Sequence, residues 1–112
     1  MKFSDYQTET RRTAPIVNEE NEVMMLLNFS LGLTGEAGEF ADHVKKSVFQ
    51  GRKLDRELLV KELGDQLWYI ARSAELLGYD LTAVAEMNIE KLNKRYPKGF
   101  TVKDSEERRD LA

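Results

Sequence analysis

Residues 26–40 read LLNFSLGLTGEAGEF, with Leu26, Phe29 and Leu33 at spacings of three and four, the period of a helix with one apolar face. The next step along that stripe lands on Glu36 and the one after it on Phe40, so a carboxylate occupies a position in the apolar stripe. Glu39 follows three residues later, roughly 4.5 Å along a helix axis and on nearly the same side. Residues 58–69 repeat the anomaly: Leu58, Glu62, Asp65 and Tyr69 succeed one another at spacings of four, three and four.

Burying an unpaired carboxylate costs several kcal/mol or forces protonation, and gathering acids together makes ionisation harder still. Glu36, Glu39, Glu62 and Asp65 therefore call for a cation. Magnesium (Mg2+) fits, being a hard ion held by carboxylates, phosphate oxygens and water, and manganese (Mn2+) is a possible substitute. With one His and no Cys, the ligands of a structural zinc site are missing. The competing reading is a solvated acidic face paired with Lys45, Lys46, Lys61 or Arg72, but such a face should lie opposite the apolar stripe rather than inside it.

Outward from these motifs, the sequence predicts helices throughout. A short one starts near Ser4 or Asp5 and stops before Pro15; its role is not evident. A second opens around Asn18, with Glu19, Glu20 and Glu22 near its positive end, and runs to about Phe49, with Gly51 as its stop. A third follows the cap Asp55 to Leu77 and Gly78, and a fourth runs from the cap Asp80 to about Tyr96. Phe100 to Ala112 is a charged tail of open order. Short connections predict antiparallel neighbours, hence an all-α antiparallel helical bundle formed by a single domain over residues 1–112, with the tail at about 101–112. Apolar residues on more than one face of the third helix predict completion by a homodimer or homotetramer.

Gly32, Gly35 and Gly38 recur every three residues, and Gly64 lies between the acids of the third helix. They fit either close approach of a helix or phosphate, which is favoured, or a break in the second helix near Gly32 to Gly35.

At 112 residues with 41% apolar content, one modest core is available. A net charge of -3 spread over both signs argues against nucleic acid as a partner. No stretch approaches the roughly 18 apolar residues of a membrane span, and the N-terminus lacks a signal-peptide pattern. The absence of Cys makes a reducing compartment, the cytoplasm, the expected location.

The run Glu36-Ala37-Gly38-Glu39, followed by Glu62-Leu63-Gly64-Asp65, resembles the ExxE…ExxD signature of the MazG-like nucleotide pyrophosphohydrolases. Residues 31–39 and 88–97 also look like that family's helices, and roughly residues 20–100 are covered. The resemblance implies an all-α NTP pyrophosphatase fold, usually oligomeric, in which the four acids are the catalytic and metal-binding residues. It implies a nucleoside triphosphate substrate cleaved to the monophosphate and pyrophosphate, by attack of water on the α-phosphorus. One of the acids could serve as the base instead of a ligand, and which one stays open.

Asn88, Lys91 and Arg95, at spacings of three and four, match the family pattern and form a polar stripe suited to phosphate oxygens, or else a solvated basic face. Trp68 and Tyr69 offer base stacking against the alternative of ordinary burial. His43 is more often a structural group than a base, Asp42 could support Lys46 or a metal's surroundings, and Lys45 and Lys46 complement a helix dipole. Broad removal of surplus or noncanonical nucleotides is the expected role. Selective hydrolysis of dUTP, dCTP or phosphoribosyl-ATP, and a non-catalytic helical oligomerisation or regulatory module, are the alternatives.

Overall fold

The computed structural model describes residues 1–111. Among these residues, five α-helices form the fold: α1 (Phe3–Thr10), α2 (Glu22–Gln50), α3 (Arg56–Leu76), α4 (Leu81–Arg95) and α5 (Val102–Glu107), with short 3-10 turns at Arg11–Thr13 and Arg109–Leu111. No strand occurs among the described residues, in keeping with the all-α reading. Among the described residues, no helix is long and apolar enough to cross a membrane.

The caps explain where the long helices begin and end. Asp55 Oδ1 accepts from the Leu58 N–H at 3.1 Å and Asp80 Oδ1 from the Ala83 N–H at 2.7 Å, satisfying donors that have no partner in the first turn. Gly51, with φ +67°, closes α2 in a left-handed conformation that favours glycine. The start of α2 differs from the sequence reading. Asn18 Oδ1 accepts from the N–H groups of Glu20 and Asn21 at 3.0 and 3.1 Å, while Asn21 Oδ1 accepts from the Asn18 N–H at 2.8 Å. These local bonds hold a turn and delay the helix to Glu22.

The dominant interface joins α2 to α3 through the five-residue connection 51–55, a helical hairpin. His43 Nε2 accepts from the Asp55 N–H at 3.2 Å and secures this connection, which is the structural role. The alternative of a break in α2 does not occur, since the helix is continuous past Gly32, Gly35 and Gly38. A side chain on Gly32 would overlap the Tyr69 ring, whereas Cβ atoms on Gly35, Gly38 and Gly64 would meet nothing within 4 Å. Close approach is therefore seen at Gly32 alone, and the group that approaches is an aromatic ring.

Helix α1 is pegged across α3 and the start of α4 by a buried glutamine. Gln7 Nε2 donates to the carbonyls of Ala71 and Tyr79 at 3.2 and 3.1 Å, and its Oε1 accepts from the Leu81 N–H at 2.8 Å. Buried Arg72 donates to Thr10 Oγ1 at 2.8 Å, to the Gln7 carbonyl at 2.9 Å and to Glu75 at 2.6 Å. Hydrogen bonding from Arg11, and then from Arg72, holds the Glu75 carboxyl down at about 2 against the opposing effect of burial.

Among the described residues, the charged tail folds into α5 and the 3-10 turn at Arg109–Leu111. Thr101 caps α5, and Asp110 accepts from Arg95 at 2.8 and 2.9 Å in a two-pronged ion pair.

Among the described residues, only Phe29, Ala71, Ala74 and Leu81 form the buried apolar core. Met24, Leu31 and Val60 remain 66%, 63% and 65% exposed, and Leu27, Leu63 and Met87 are more than half exposed. The radius of gyration is 17.2 Å, against about 13 Å for a compact chain of this length. The accessible surface is 8500 Å², against about 6,300 Å² expected for this mass.

Candidate metal centre

The hairpin of α2 and α3 brings distant acids together. The apolar stripe of α2 faces α3, with Phe29 buried and Leu26, Leu33 and Phe40 partly so; Glu36 sits in that stripe and is itself half-buried. From α3, half-buried Glu62 and exposed Asp65 complete a group whose carboxylate oxygens lie within 4.8 Å of one another. One Oε2 of Glu36 and one of Glu62 are buried without a hydrogen-bond partner.

Such an arrangement is electrostatically poor on its own. Burial, and next the neighbouring carboxylates of Glu62, Glu39 and Asp65, push the Glu36 carboxyl up to about 7. Orphaned oxygens and a raised carboxyl are both relieved by a hard divalent cation, so the residues present fit a metal ion. Glu39 is exposed and stands outside the three-carboxylate group, although its charge reaches Glu36.

A cleft of about 400 Å³ opens beside these acids, lined by Thr13, Glu36, Asp65, Trp68 and Tyr69. Trp68 packs edge-on against Phe29 and Tyr69, with ring centroids 5.8 and 5.0 Å apart, and it donates its indole N–H to Thr13 Oγ1 at 2.7 Å. It is both half-buried and part of the cleft wall. Tyr6 approaches from α1, its hydroxyl donating to the Gly64 carbonyl at 3.4 Å. Burial, and then the charge of Asp65, raise the Tyr6 phenol above its ordinary value.

Residues 25–100 match the MazG nucleotide pyrophosphohydrolase domain. The chain belongs to this family. It is also 34% identical over 105 residues to the Gene 37 protein of Mycobacterium phage L5, a match covering 88% of this chain and 92% of that one. No solved structure gives a significant match. All four motif acids fall inside the family-matched region, whereas Tyr6 and Thr13 precede it.

The polar stripe of α4 stands apart from the acids. Asn88 and Lys91 line a different, largely apolar cleft with Phe3, Leu67 and Met87, and Arg95 is engaged by Asp110. None of the three lines the acidic cleft. Asp42 pairs with Lys46 at 2.6 Å on the surface of α2, one of the two roles open to it from sequence. Thr13 and Tyr6 escaped the sequence reading because neither belongs to a motif or to an apolar period; only the chain's return across α3 makes them neighbours of the acids.

Proposed function

We propose that the chain hydrolyses a nucleoside triphosphate to the monophosphate and pyrophosphate in the cleft between α2 and α3. The observation that carries this reading is the pair of buried, unpartnered carboxylate oxygens on Glu36 and Glu62 beside Asp65, within a chain of the MazG family. Glu36, Glu62 and Asp65 would hold magnesium, or manganese in its place. When bound, the ion supplies charge neutralisation for the triphosphate and lowers the pKa of attacking water. Glu39, outside the three-carboxylate group and open to solvent, is the acid best placed to accept a proton from that water. Trp68 and Tyr69 give the cleft an aromatic wall against which a base can stack.

Asn88, Lys91 and Arg95 keep their proposed phosphate-binding role on their match to the family pattern alone. Their position in the single chain favours delivery from a second copy. Self-association is supported by the excess of about 2,200 Å² of accessible surface over a compact chain of this mass, comparable with one subunit's share of an obligate interface. Light scattering should give a multiple of 12.9 kDa; a mass equal to one chain would refute self-association.

Removal of surplus or noncanonical nucleotides suits such an activity. The deciding experiment is turnover of the eight common NTPs and dNTPs, with dUTP and phosphoribosyl-ATP added, in the presence of magnesium. Pyrophosphate and phosphate release are followed separately, with Glu62→Ala as control. Pyrophosphate with monophosphate, lost in Glu62→Ala, is the expected outcome, and the ranking identifies the base. Release of single phosphates contradicts attack at the α-phosphorus. Absence of both turnover and magnesium-dependent nucleotide binding would instead favour a non-catalytic helical module.

A further inference from the structure

We infer that Thr13, in the segment preceding the family-matched region, is a positioning residue that fixes the Trp68 indole as the base-facing wall of the acidic cleft and so sets base selectivity. The inference rests on the reading of that cleft as the nucleotide site. Thr13 Oγ1 donates its one proton to the Thr10 carbonyl at 3.2 Å, which leaves its lone pairs to accept from the indole N–H at 2.7 Å. The hydroxyl is thereby oriented from one side and orients the ring on the other. Without this bond, Trp68 would keep its edge contacts with Phe29 and Tyr69, which limit translation but permit tilting about the side-chain torsions.

The segment that carries Thr13 is held independently of it. Gln7 binds Ala71, Tyr79 and Leu81, and Arg72 binds both Thr10 Oγ1 and the Gln7 carbonyl. Helix α1 and its 3-10 turn are therefore a docked wall rather than a loose leader. Tyr6 Oη on the Gly64 carbonyl, between Glu62 and Asp65, adds a second contact from the same wall to the acidic helix. A ligand presented to the carboxylates by its phosphates would meet, at its other end, a ring whose tilt Thr13 determines. Discrimination between bases then follows from how much of each ring overlaps the indole face.

Thr13→Val removes the acceptor at nearly constant volume, and Thr13→Ser restores it. Because Trp68 is the sole tryptophan, its emission and near-ultraviolet circular dichroism report the ring directly. In Thr13→Val the expected changes are a weaker near-ultraviolet signal and a KM raised about three- to tenfold for the preferred nucleotide, as loss of one hydrogen bond would give. The change in kcat should be smaller, the preference between bases should narrow, and Thr13→Ser should recover all three properties. An α,β-methylene nucleoside triphosphate with magnesium should quench Trp68 less in Thr13→Val than in the parent.

Turnover by the parent with unchanged KM and base preference in Thr13→Val overturns the role of Thr13 alone. A fall in kcat at constant KM also overturns it, marking a general structural effect. If the parent neither turns over nucleotides nor shows quenching by the analogue, the reading of the cleft fails and the role of Thr13 with it.

Discussion

Replacing Glu36 by Gln should stabilise the metal-free protein at alkaline pH while destroying its metal response. Burial and the surrounding acids raise the Glu36 carboxyl to about 7 in the folded chain, from an ordinary 4.5. A folded-state value above the unfolded one means that the native protein binds more protons between these limits, so stability falls as pH rises through the window. The whole interval corresponds to roughly 3 kcal/mol. The site opens to solvent beside Asp65, and screening there reduces the expected effect to about 1–2 kcal/mol. Glutamine keeps the shape and removes the charge. In the presence of a chelator at pH 8, Glu36→Gln should therefore melt about 4–8 °C above the parent, and the difference should disappear near pH 4. Magnesium at a hundredfold its dissociation constant should raise the parent's stability by about 2.7 kcal/mol and leave the variant nearly unmoved. Scanning calorimetry at matched protein concentration reads both effects. A variant less stable than its parent at pH 8, or a difference that persists at pH 4, would show that Glu36 is a satisfied structural carboxylate and refute the argument.

Gly32→Ala should destabilise by about 1–3 kcal/mol, because its methyl overlaps the Tyr69 ring, while Gly35→Ala, with open space around it, should stabilise by up to about 1 kcal/mol through helix propensity. Urea unfolding followed by Trp68 emission distinguishes the two signs. Gln7→Leu leaves the Leu81 N–H without its acceptor and removes the donor to the carbonyls of Ala71 and Tyr79, and thermal unfolding should show a loss of about 1–3 kcal/mol. Asp110→Asn weakens the ion pair with Arg95 and should speed amide exchange across residues 102–111; unchanged exchange would show that the pair does not hold the tail.

The sequence and the structure agree best where a single helical period carries the information. The caps Asp55 and Asp80, the stop at Gly51 and the length of α3 were legible because each depends on residues within one or two turns. The start of α2 was misread because Asn18 and Asn21 satisfy each other's backbone in a turn, and a cap and an Asx turn draw on the same residue types. The order of the tail could not be read either, since it depends on Asp110 meeting Arg95 fifteen residues away.

By itself the sequence determined the all-α class, the hairpin's two helices and the four acids, because an apolar stripe interrupted by carboxylates is a periodic signal that survives without coordinates. Tertiary structure alone decided which acids converge: Glu36, Glu62 and Asp65 meet across the hairpin, while Glu39 remains at its edge. It also decided that Arg95 faces Asp110 and that Thr13 faces Trp68. Spacing along one helix fixes which side chains share a face, but contacts between helices depend on how those faces dock, and that is set by the packing of Phe29, Gln7 and Arg72 rather than by any local period.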